Sequence, residues 1–86
     1  MDREKIIDLI GEYDNLTAVF YMGDEIPAMH HMDILSVEDY DDEIVVRGTG
    51  SDYVILTGNP KVKEDPYGDT EYIFGTGNYR IGIILL

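Results

Sequence analysis

The stretch Tyr79-Arg80-Ile81-Gly82-Ile83-Ile84-Leu85-Leu86 decides the fold. Successive residues of a strand point to opposite faces. Ile81, Ile83 and Leu85 therefore share one side, and Ile84 and Leu86 share the other. A strand that is apolar on both sides belongs inside a sheet or beneath a covering helix. One segment supplies such a helix. Over residues 3–13, Ile6, Ile7, Leu9, Ile10 and Tyr13 recur at three- and four-residue spacing and make one apolar stripe. Asp2 stands at the N-cap position, Glu4 lies in the first turn where the helix dipole favours it, and Asp14-Asn15 is a stop.

The remaining sequence reads as strands. Leu16–Met22 is β-branched and aromatic and runs into the turn Gly23-Asp24-Glu25. A second strand is expected from about Met32 to Asp39, followed by a turn at Tyr40-Asp41-Asp42 and a third strand over Glu43–Arg47. Gly48-Thr49-Gly50-Ser51 turns the chain into Asp52–Thr57. Residues 61–69, beside Pro60 and including Pro66, read as the longest loop. Thr70–Phe74 and Tyr79–Leu86 form a final hairpin. The fold class is α+β, a single domain over residues 1–86. One N-terminal helix packs on a bent antiparallel sheet of five or six strands, with closure into a small barrel left open. Tyr13, Tyr72 and Tyr79 are assigned to the core, whereas Tyr40 and Tyr67 suit a strand and an interface equally well.

Charge bounds the function. Eighteen acids oppose six Lys and Arg in 86 residues, a formal net charge of -12. That balance excludes direct binding to a nucleic-acid backbone, which needs clustered cations. No cysteine is present, so disulfides, thiolate metal sites and cysteine nucleophiles are excluded. No apolar run approaches the length of a membrane span. Met1-Asp2-Arg3-Glu4-Lys5 carries both signs and is unlike a signal peptide, so the cytosol is the expected compartment.

Catalytic and metal chemistry find little support. His30, His31 and Asp33 are the candidate metal set, but neighbouring strand residues diverge, so only His31 and Asp33 can share an ion. The alternative for this segment is a polar loop with Met29 and Met32 at the edge of the core. Ser36 and Ser51 lie in no nucleophile elbow. The Gly-Thr-Gly segments have strands on both sides, not the strand and helix of a dinucleotide site. Residues 38–43 lack the central glycine of a calcium loop. The expectation is no catalysis, no cofactor and no metal.

The informative feature is clustering. Spread evenly over a surface of about 5,200 Å², twelve charges would stand roughly 20 Å apart, about twice the Debye length. Instead Glu38, Asp39, Asp41, Asp42 and Glu43 put five acids into six positions around Tyr40. Asp24 and Glu25 occupy another turn, and Asp65, Tyr67 and Asp69 a third. If these turns meet at one pole, they form a surface suited to a basic groove. In size, charge and texture the chain resembles the small acidic inhibitors encoded by phages, anti-restriction and anti-CRISPR proteins among them. The resemblance implies a DNA mimic that blocks a basic, nucleic-acid-binding partner protein. Two other readings stand beside it. One is a structural or accessory interaction module whose acidity only solubilises it. The other is a small metal protein or enzyme centred on His30, His31 and Asp33. Oligomeric state is not encoded in any pattern of the sequence.

Overall fold

The computed structural model describes residues 1–86. The Asp2 carboxylate accepts the Lys5 backbone N–H at 3.0 Å and caps α1, Arg3–Ile10. The helix ends before the apolar stripe does. After Gly11 the amides of Glu12 and Tyr13 bond three residues back, to Leu9 and Ile10, which tightens the last turn and carries Tyr13 off the helix. Tyr13 is consequently 40% exposed rather than part of the core.

Eight strands follow: β1 Asn15–Met22, β2 Ala28–Asp33, β3 Ser36–Tyr40, β4 Glu43–Arg47, β5 Tyr53–Thr57, β6 Lys61–Glu64, β7 Thr70–Phe74 and β8 Tyr79–Leu85. They form two antiparallel sheets, a five-stranded one in the order β2-β1-β8-β7-β6 and a three-stranded one in the order β3-β4-β5. Neither sheet closes into a barrel. β8 is the central strand of the larger sheet, as its two apolar faces require.

Two segments differ from the sequence reading. The single strand expected over residues 32–39 is two strands in different sheets. The chain crosses between them at Ile34-Leu35, whose amides bond to the Asp14 and Arg47 carbonyls at 2.8 Å each. The loop expected over residues 61–69 begins with an edge strand, β6, paired with β7. Its alternating lysines look like loop composition, but lysine is also what natural sheet edges carry.

Leu16, Ala18 and Ile83 from the large sheet meet Ile44, Val46, Val54 and Leu56 from the small one, and Ile6 and Ile10 of α1 join the same cluster. No polar or charged side chain is buried. A Cβ at Gly48 would stand 2.6 Å from the Asp33 carbonyl oxygen, so this glycine lets the β4–β5 turn touch β2. On the opposite face of β8, the Glu71 side chain lies across Gly82, where a Cβ would come 2.8 Å from Glu71 Cδ. Tyr72 packs against the core as expected. Tyr79 does not: it starts β8 opposite Met22, at the end of the large sheet, and is 77% exposed.

Candidate protein-interaction site

The acidic run is the β3–β4 hairpin. Alternation sends Val37 and Asp39 toward the core side, with Ile44 and Val46 of β4, and sends Glu38 and Tyr40 outward with Glu43 and Val45. Tyr40 pairs with Glu43, leaving Asp41-Asp42 as a two-residue turn. No residue other than glycine has positive φ. The turn is therefore neither of the two types that match the twist of a hairpin.

Two arginines hold it. From the helix N-terminus, Arg3 donates to the Tyr40 carbonyl and, at 2.7 Å, to the Glu43 carbonyl, and its guanidinium forms an ion pair with Asp39. On the outer face, Arg47 is paired with Glu38, and the Tyr40 hydroxyl donates to the same carboxylate at 2.7 Å. Glu38 and Arg47 are diagonal neighbours across β3 and β4. The Tyr40 hydroxyl first, and Arg47 second, hold the Glu38 carboxyl below the usual range. Asp41, Asp42 and Glu43 join no ion pair. The hairpin thus ends in three free carboxylates on a turn fixed from behind.

The other acidic turns are not beside one another. Met22 pairs with Tyr79 and Lys61 with Ile73, while Glu64 pairs with Thr70. Asp24 and Glu25 therefore sit at one end of the large sheet, and Asp65, Tyr67 and Asp69 at the other. The Asp65 carboxylate is occupied locally, accepting the Tyr67 and Asp69 amides at 2.9 Å each. Tyr67, at the tip of that turn, is 91% exposed.

His30 and His31 lie on opposite faces of β2, as alternation demands. His30 Nε2 is 3.4 Å from an Asp52 carboxylate oxygen, and His31 Nδ1 is 3.2 Å from Thr17 Oγ1. Asp33 Oδ2 is 3.5 Å from Thr49 Oγ1. No group of three His, Asp or Glu residues is arranged to hold a metal ion.

A second polar cluster escaped the sequence reading. On the outer face of the large sheet, the Tyr21 hydroxyl donates to Glu71, and Arg80 sits 4.9 Å from the centre of the Tyr21 ring. Burial, and then the hydrogen bond to Glu71, push the Tyr21 phenol up to about 12. Residues 21, 71 and 80 come together only through the β1–β8–β7 register. Each member is engaged by another.

An apolar groove of about 270 Å³ lies between Ile55 and Thr57 on β5 and Phe20, Phe74, Tyr79, Arg80 and Ile81 on the large sheet. No protein-family model matches the chain, no curated protein is similar to it, and no solved structure matches it.

Proposed function

We propose that the chain is a non-catalytic binding protein whose β3–β4 hairpin docks on a basic, nucleic-acid-binding surface of a partner protein and blocks it. The observation that carries this reading is the fixed turn with unpaired acids. Arg3 and Arg47 neutralise Asp39 and Glu38 while leaving Asp41, Asp42 and Glu43 free. A pre-ordered row of carboxylates loses little freedom on binding and competes directly with phosphates for lysine and arginine. Binding of this kind is steered by charge and weakens with salt. The compartment that suits it is the cytosol, where nucleic-acid enzymes work. Phage-encoded inhibitors of restriction or CRISPR nucleases are the functional class it fits.

The test is the triple variant D41K/D42K/E43K. The wild-type protein should capture a nucleic-acid-binding protein from lysate at low salt, release it in moderate salt and inhibit its nucleic-acid binding. The variant should do neither. A variant that captures and inhibits normally would sink the hairpin as the site. A second reading draws on the outer face of the small sheet, where Tyr40, Tyr53 and Ile55 are all exposed. It makes the chain an accessory interaction module with a tyrosine-rich contact, and its affinity would hardly respond to salt.

A further inference from the structure

Of the four strands with a free edge, β2, β3, β5 and β6, three carry the devices that discourage pairing with another chain. β6 has Lys61 and Lys63, β3 has Glu38 and Asp39, and β2 has two histidines and Asp33, with the β4–β5 turn pressed against it. β5, Tyr53-Val54-Ile55-Leu56-Thr57, has no charge, no proline and no glycine. Its backbone bonds only to β4, and no other backbone hydrogen bond reaches it. Val54 and Leu56 point into the core, and Ile55 and Thr57, on the other face, border the apolar groove at the strand's edge. A row of unmet amides and carbonyls beside an apolar groove is the geometry that receives an added strand, whose alternate side chains then enter the groove.

We infer that β5 is a strand-addition site for an extended segment of the partner in which cationic and apolar residues alternate. The inference rests on the reading above in taking the partner to be basic. Charge selects the occupant. Glu43, which joins no ion pair, lies directly across from Thr57 at one end of this uncharged strand, and Asp52, 3.4 Å from His30, precedes the other. Arg47, opposite Tyr53, is already paired with Glu38. Arg80, the one charged residue lining the groove, keeps its charge while stacked on Tyr21, so the segment's apolar residues face the groove and its cations face Glu43. A second copy is the wrong occupant, because pairing would bring one charge of -12 against another. The same site connects the two surfaces: a cation opposite Thr57 reaches toward Glu43, the first of the free carboxylates of the hairpin.

The probe is a capped peptide of alternating arginine and valine, long enough to span the five residues of β5. Its control has the same sequence with every second backbone amide N-methylated, which keeps the charge and removes edge hydrogen bonds. The plain peptide should bind, with amide shifts in NMR concentrated at Tyr53–Thr57, and N-methylation should weaken it roughly tenfold or more. Ile55→Lys, at a position 39% exposed, should leave the fold intact and weaken the plain peptide similarly. If both peptides bind equally, with shifts at Asp41–Glu43 alone, the acidic hairpin reading survives and strand addition is overturned. If neither binds, strand addition is overturned. A concentration-dependent dimer in sedimentation, lost in Ile55→Lys, would assign the edge to a second copy and overturn the partner segment.

Discussion

Gly82→Ala should destabilise the protein when Glu71 is present and stabilise it when Glu71 is absent. The three atoms nearest to a Cβ at this position all belong to Glu71, with Cδ at 2.8 Å and the carboxylate oxygen closer still. Alanine therefore expels the Glu71 carboxylate and breaks its hydrogen bond with Tyr21. A hydrogen bond to a charged group contributes about 1.5–3 kcal/mol. Here both partners are only half-buried and water replaces part of it, leaving a loss of about 1–1.5 kcal/mol. Against that, alanine in a strand gains roughly 0.5–1 kcal/mol over glycine. The net cost in the wild-type background is about 0.5 kcal/mol. In a Glu71→Ala background only the gain remains. Urea denaturation of the four proteins of this cycle measures the coupling, expected at about 1–1.5 kcal/mol. The same sign and size of effect in both backgrounds would refute the packing argument. Alkaline titration supplies an independent readout. Tyr21 is raised to about 12, so its contribution to stability is complete below the unfolded value of about 10 and is lost as pH rises through about 12. Gly82→Ala should lower the Tyr21 midpoint toward 10, read as the absorbance difference from Tyr21→Phe.

Tyr40→Phe should raise the titration midpoint of Glu38 toward the ordinary carboxylate range, because the Tyr40 hydroxyl is the first cause of its lowering. A depressed carboxyl contributes stability above its unfolded value and loses it as pH falls through the folded one, so the variant should flatten the acid limb; an unchanged Glu38 midpoint in carbon-detected NMR would refute this. Replacing Asp41-Asp42 with Asn-Gly (D41N/D42G) should raise stability by about 0.5–1 kcal/mol in thermal or urea unfolding, by supplying a turn that matches the strand twist and removing two like charges. If the exchange is destabilising, the turn is not under the constraint described.

The helix stripe and the two-sided apolar strand were legible because each depends on one segment's own periodicity. Ile6, Ile10 and Ile83 are all fully buried. The crossing at Ile34-Leu35 was not, because Met32 to Asp39 has strand-forming residues throughout and the switch of sheet is set by bonds to Asp14 and Arg47. β6 was hidden because this edge strand has no buried side to impose an alternation; all four of its residues are exposed. The acidic hairpin was visible as a run of letters. Its neutralisation was not, since Arg3 is far from residues 39–43 in sequence and Glu38 meets Arg47 only once the β3–β4 register is known. The cluster of Tyr21, Glu71 and Arg80 is a product of register for the same reason.

The hairpin turn is not what stability alone would select. A two-residue connection between β3 and β4 is best made by Asn-Gly or Asp-Gly, with positive φ. This chain uses Asp41-Asp42 at negative φ, with Glu43 next to them. Neighbouring unit charges about 6 Å apart in water repel by roughly 0.7 kcal/mol before screening, so three free carboxylates oppose the turn they occupy. Arg3 compensates by donating to the Tyr40 and Glu43 carbonyls at either side of the turn, and it comes from the first residue of the only helix. A cation that could have neutralised Asp41 or Asp42 instead grips the backbone and Asp39, leaving the outermost charges bare. Solubility does not require that arrangement, because eighteen acids supply it from anywhere on the surface. Local rules broken at one place, with compensation built from elsewhere in the chain, support the proposal that this hairpin is a contact surface. The uncharged edge of β5, with Glu43 across from its last residue, lies next to that place.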